Sequence, residues 1–263
     1  MTVRRSSYQS QLLLMEGIAY KEIKPNAPLS TFVDSLWMLS NKTNHEKRIV
    51  IVPDGRIDLF FSLKKPYELT LLGLENAPSQ GILMSETVML AVSFKLLAIE
   101  YLFDRKFPTL VDAAYILPPD YFGITVENFN DFEQFCNVLT DKLLNKLNNS
   151  DVDLRKQRLF ELVYTSAGSI TIQEIAETIH WTSRQINRYF NEWFGISLKA
   201  YCTILRFRAS FKQIKEGKLF PEQNFTDQSH FIKNVKKFAG VTPKELSKNE
   251  NDRFIQFSTL PKK

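Results

Sequence analysis

Apolar positions come in short alternating runs over roughly the first 125 residues, then at helical spacing to the end. Ser35–Leu39, Arg48–Val52, Ile57–Phe61, Leu69–Leu72, Gly81–Met84 and Val88–Phe94 predict strands, and Pro53-Asp54-Gly55 predicts a turn between two of them. Many short strands with turns between them imply an antiparallel sandwich or barrel. Residues 96–104 and 110–116 fit short helices. Asp131 to Asn148 fits a longer amphipathic helix with Phe132, Phe135, Val138, Leu139, Leu143 and Leu147 near one face. The polar run Asn148 to Asp153 marks a boundary, and helical spacing prevails after it. The expected fold class is therefore α+β. The expected parts are a β-rich sensor or dimerisation domain (1–126), a helical linker (127–152), a helical DNA-binding domain (153–249) and a loosely ordered tail (250–263).

Two helix-turn-helix patterns lie in the helical half. In the first, Thr171 and Glu174 form an S/T-x-x-E capping box ahead of the buried stripe Ile172, Ile175, Ala176 and Ile179. His180-Trp181 makes the turn and Thr182 caps the next helix, Ser183 to Phe194. There Ile186, Phe190 and Trp193 face inward, while Arg184, Asn187, Arg188 and Asn191 share the opposite face. Arginine pairs bidentately with guanine and asparagine with adenine in the major groove, each giving roughly 1–3 kcal/mol of discrimination. A polar solvent face would show the same residue types without the capped supporting helix and tight turn.

A linking helix follows from Ser197 to about Glu216, with Tyr201, Ile204, Phe207, Phe211 and Ile214 on one face. Arg206, Arg208, Lys212 and Lys215 lie elsewhere, within reach of phosphates. The second pattern runs from Phe225 to Pro243. Phe231, Val235 and Phe238 form its apolar stripe, and Ser229, Lys233 and Lys236 lie opposite, flanked by His230 and Lys237. Asp227 caps its start, and Gly240 followed by Pro243 marks its end. Taken alone, this second stripe fits an ordinary solvated surface helix as well as a DNA-contacting one.

The formal net charge of +5 is unevenly spread: residues from Asp151 onward hold 19 basic and 12 acidic residues, +7, which leaves −2 for the rest. A basic module that meets a polyanion, joined to a near-neutral module, fits this asymmetry. No apolar run approaches the roughly 18 residues of a membrane span. The start of the chain lacks the apolar stretch of a signal peptide. Cys136 and Cys202 stand far apart, without zinc spacing, and fit small core residues of a reduced, cytoplasmic protein.

These motifs resemble the AraC/XylS-type bacterial transcription regulators. The residues that carry the likeness are Ile175-Ala176, Thr182, Arg188-Tyr-Phe190, Gly195, Asp227-Gln-Ser-His-Phe231 and Gly240-Val-Thr-Pro243, over roughly residues 153–247. The resemblance implies base reading by Arg184, Asn187 and Arg188 in the first unit and by Gln228, Ser229 and His230 in the second. Thr182, Asn191, Arg208, Lys212, Lys233, Lys236 and Lys237 are expected at the DNA backbone. Double-stranded DNA and RNA polymerase are the expected partners. An aromatic-lined interior of the N-terminal domain fits a small apolar effector as well as simple core filling, and the long apolar face of the helix over 131–147 fits a homodimer as well as packing on its own domain. No membrane, metal or cofactor is implied.

The chain departs from the family pattern at His180 and at Asn224-Phe225, where glycine is usual, and in the short stretch Lys218 to Asn224. That stretch carries Pro221 and no Ile-Ala supporting helix, which favours a phosphate-anchoring second unit. Pro53-Asp-Gly-Arg-Ile-Asp-Leu-Phe60 resembles a Pro-Asp-Gly-x-x-Asp signature of a sensor-type domain. Two alternatives stand beside this reading. One is an enzyme fused to a DNA-binding module, with Asp54 and Asp58 as candidate paired carboxylates, although no phosphate loop, nucleophile elbow or metal cluster appears. The other is an interaction module whose lysines meet an acidic protein.

Overall fold

The structure is a computed structural model that describes residues 9–15, 17–63, 67–103, 105–124, 131–220, 225 and 227–260. Among the described residues, nine strands make up the first half: β1 (Gln9–Met15), β2 (Ile18–Lys24), β3 (Val33–Asn41), β4 (Lys47–Ile51), β5 (Ile57–Phe61), β6 (Leu69–Leu72), β7 (Ser79–Leu83), β8 (Thr87–Phe94) and β9 (Ala114–Leu117). Seven of them form an antiparallel sheet in the order β1-β2-β3-β8-β5-β6-β9, and β4 pairs with β7 as a separate ribbon. Strand alternation divides the sheet's side chains. Leu36, Leu59, Leu90 and Val92 enter the large core, whereas Tyr20, Trp37, Leu39 and Met89 meet Ile49 and Leu83 of the ribbon in a small second core. The arrangement is the sandwich that the turn-punctuated strands imply.

Helix α1 (Leu97–Leu102) matches the first of the two expected short helices. The second does not form: residues 114–117 are β9, paired with β6 at the sheet edge. Helix α2 (Phe132–Asn148) is capped by Asp131, whose carboxylate accepts from the Gln134 N–H. Its apolar face lies on the sheet's large core, with the Phe135 ring 5.0 Å from that of Phe61. That apolar face is thus covered by the chain's own sheet.

The helical half comprises α3 (Leu154–Thr165), α4 (Ile172–Ile179), α5 (Ser183–Phe194), α6 (Leu198–Ala209), α7 (Phe211–Lys215), α8 (Gln228–Ala239), α9 (Pro243–Lys248) and α10 (Ile255–Ser258). The expected linking helix is broken at Ser210, whose hydroxyl donates to the Phe207 carbonyl and draws the chain into a tighter turn. The tail also differs from expectation. Phe254 and Phe257 are each 1% exposed, and α10 packs against β4. One continuous hydrophobic core joins the two halves.

Candidate nucleic-acid interface

The first unit is built locally. Thr171 and Glu174 complete the expected capping box. His180 ends α4 in the left-handed conformation (φ 56°), which histidine adopts more readily than most non-glycine residues. Thr182 then caps α5 in a second box with Gln185, whose role the sequence reading did not identify. Phe160 of α3 packs at 5.6 Å from Phe190 and 5.7 Å from Phe194, so the helix behind the unit holds α5 by its aromatic side. Ile186, Phe190 and Phe194 are fully buried, and Trp193, expected in this stripe, is only partly so. On the opposite face Arg184, Arg188 and Asn191 are exposed and Asn187 is half-exposed. The Asn191 amide donates to the Asn187 carbonyl at 2.9 Å, and Arg188 lies 3.8 Å from Glu192.

In the second unit Asp227 caps α8 through the His230 N–H. Phe231, Val235 and Phe238 are buried, while Gln228, Ser229, His230, Lys233, Lys236 and Lys237 are exposed. Described residues 216–220 contain no helix, in agreement with the missing support; Pro221 to Asn224 lie outside the described residues. Helix α8 instead packs on α6 and α9. Both α5 and α8 end against the β half. Thr109 lies 3.6 Å from where a Cβ on Gly195 would sit, and Pro78 is equally close to the same point on Gly240. The residues at their N-terminal ends, Ser183 to Gln185 and Gln228 to His230, are exposed, and this is the end that a recognition helix turns toward base edges.

The linking segment departs from expectation. Arg208, assigned to the DNA backbone, is committed within the molecule: its guanidinium donates to the Asp34 carboxylate at 2.7 Å. Arg206 donates to the Gly168 carbonyl, and Lys215 to the Phe257 and Leu260 carbonyls. Lys212 is exposed as expected, and so is Thr182, whose hydroxyl is engaged by Gln185. The side of α6 that carries Arg208 faces the β half, so its cation meets a carboxylate there. Sequence spacing places Arg208 off the apolar stripe but carries no signal for Asp34, 174 positions earlier.

The Pro53-Asp54-Gly55 turn is the other side of this junction. Gly55 adopts φ +78°, and a Cβ there would lie 2.9 Å from Leu205 and 3.3 Å from Tyr201 of α6. Only glycine accepts both the conformation and the approach. The Tyr201 hydroxyl lies 2.9 Å from the Gly55 carbonyl and 3.0 Å from the Tyr164 hydroxyl. Arg56 binds Asp54 through two nitrogens and Asp34 through a third at 3.3 Å. Burial alone would raise the Asp34 carboxyl, but Arg208 and Arg56 outweigh it and hold the group well below its ordinary value. Asp58 behaves oppositely: burial, with Asp54 nearby, pushes it up despite Arg56 and a hydrogen bond from Ser93. Asp54 and Asp58 thus have different partners, and Asp54 is saturated by arginine.

A chamber of about 80 Å³ opens beside Asp58, walled by Tyr20, Trp37, Phe60 and Met89 and roofed by Ile255, Gln256 and Thr259. Elsewhere Tyr189 of α5 donates to Glu100 of α1 at 2.8 Å, and Glu100 also pairs with Lys156. Lys106 sits 4.5 Å over the Trp193 ring. These contacts bind the first unit to the β half and were not legible in the sequence.

Residues 21–115 match a family described as a domain of unknown function (DUF6597), a span that runs from β2 into β9 and contains Asp34, Asp54, Arg56 and Asp58. No curated protein matches the sequence. Among solved structures, the chain is similar to ToxT from Vibrio cholerae, with 16% identity and a TM-score of 0.39 over 91% of this chain and 97% of that one. ToxT with an unsaturated fatty acid bound gives 14% identity and a TM-score of 0.37 over 92% and 96%. Likeness at these values carries no argument about this chain. Among the described residues no helix is long and apolar enough to cross a membrane, and no group of three or more His, Cys, Asp or Glu is placed to hold a metal ion.

Proposed function

We propose that the chain is a sequence-specific DNA-binding transcription regulator of the AraC/XylS type, whose helical half grips double-stranded DNA and whose β half senses a signal. The observation that carries the reading is the α5 face: Arg184, Asn187, Arg188 and Asn191 lie opposite a fully buried stripe, on a helix that starts from its own capping box and follows a capped α4 and a left-handed turn. Arg184, Asn187 and Arg188 read bases in the major groove. Lys233, Lys236 and Lys237 neutralise phosphates and set register, with Gln228, Ser229 and His230 at the exposed start of α8 beside them. Arg208 is left out of the DNA contacts because Asp34 holds it. A small effector at the β half and RNA polymerase are the partners through which such a regulator acts.

The test is selection and sequencing of DNA fragments bound by the purified chain, followed by binding measurements across a salt series. A defined motif, with affinity falling steeply as salt rises, is expected, since each neutralised phosphate contributes a slope of about −0.9 in log K against log salt. Salt-independent binding overturns the reading, and failure to shift any fragment at low salt turns it toward an acidic protein partner.

A further inference from the structure

Helix α8 has no preceding helix behind it among the described residues 216–220, yet its stripe is fully buried. Its support can be followed back to the chain's last described segment. The Phe238 ring of α8 lies 5.3 Å from Phe207 of α6, Phe207 lies 4.9 Å from Phe211 of α7, and Phe211 lies 4.8 Å from Phe257 of α10. Lys215, at the end of α7, fastens α10 by donating to the carbonyls of Phe257 (2.7 Å) and Leu260 (2.6 Å). Asn249, just beyond α9, accepts from the Phe254 N–H and donates to the Ser258 hydroxyl, both at 2.8 Å.

The far side of the same segment is tied to the β half. Phe254 bridges Val50 of β4 in parallel, and the Val50 N–H donates to the Arg253 carbonyl at 2.6 Å. Gln256 then imitates a strand residue with its side chain: its amide oxygen accepts from the Val52 N–H at 3.1 Å and its amide nitrogen donates to the Val52 carbonyl at 2.9 Å. We infer that residues 253–260 are the positioning element of the second reading helix, a clasp that stands in for a supporting helix, none of which lies in the described residues 216–220, and that makes the placement of α8 depend on the β half, with Gln256 as its positioning residue. The inference rests on the reading of α8 as a DNA-anchoring helix. It also supplies a route for regulation, because Ile255, Gln256 and Thr259 line the chamber beside Asp58.

The experiment compares full-length Gln256→Ala and Phe257→Leu with the wild type by amide hydrogen exchange, and by the salt dependence of binding to DNA selected by the wild type. Gln256→Ala removes two hydrogen bonds, so protection of α8 amides is expected to fall about tenfold while α5 amides keep theirs. The salt slope is expected to shrink by up to roughly 0.9 for each of Lys233, Lys236 and Lys237 that disengages. Phe257→Leu, which keeps an apolar side chain but interrupts the ring series, is expected to act in the same direction. Unchanged α8 protection in both variants, or an equal loss in α5 and α8, overturns the clasp. A wild type that binds no DNA overturns the DNA reading instead, and the exchange comparison still decides whether the segment positions α8.

Discussion

The first helix-turn-helix unit stands on residues that immediately precede it, and the second leans on residues that follow it. In the first, α3 and α4 supply the packing, and two capping boxes fix where α4 and α5 begin. In the second, α8 rests on α6 and α9, and behind them on α7, α10 and a strand of the β half. Local support makes a unit whose geometry depends less on the rest of the chain, although Tyr189 and Trp193 also tie it to the β half. Distributed support makes one that responds to changes elsewhere. On the proposed reading, a protein with one unit of each kind has a steadier reader and a conditional anchor.

Substitutions can break that comparison at several strengths. Phe190→Ala, in the fully buried centre of the first unit, is expected to cost about 3–5 kcal/mol. Urea denaturation measures it, and a cost under about 1 kcal/mol would mean that α3 is not the support. Asp34→Asn strands the Arg208 cation at the junction of the halves and is expected to cost roughly 3 kcal/mol. The same pair predicts a pH dependence. Because the Asp34 carboxyl is held below its ordinary 3.8, its share of stability is complete above that pH and is lost as pH falls below it. Acid titration of the wild type should therefore show a loss that Asp34→Asn does not.

Much of this was legible beforehand, for physical reasons that particular residues make clear. Thr171, Glu174, Thr182, Asp227 and Gly240 act within four residues of themselves, so sequence spacing carries their roles. Strands β3 to β8 announced themselves by apolar runs and turn residues. Residues 114–117 did not, since a four-residue edge strand has too short a pattern to override a helical one. Arg208 and Gln256 were hidden for another reason. Their partners, Asp34 and Val52, lie 174 and 204 positions away, and nothing near either residue records the meeting. The tail's polar composition likewise concealed that Phe254 and Phe257 are core residues.

Smaller effects separate reader from anchor. Arg188→Ala is expected to cost about 1–3 kcal/mol of discrimination between the selected sequence and single-base variants, read by competition binding. An equal loss on all sequences would assign Arg188 to phosphate instead. Lys236→Ala should do the reverse, weakening all sequences alike and lowering the salt slope by roughly 0.9. A change in base preference there would make the second unit a reader as well.

The bond between Val52 and Gln256 also bears on how the protein is made. Strand β4 leaves the ribosome some two hundred residues ahead of the segment that covers its outer edge. Until Phe254 arrives, that edge presents unpaired backbone groups, the feature through which chains aggregate. Contacts so distant in sequence form slowly, so the β half reaches its final state only after the helical half has been synthesised. A transcript cut short before residue 254 would yield a chain with an intact first unit and an adhesive strand, and the cell's proteases would be expected to find it.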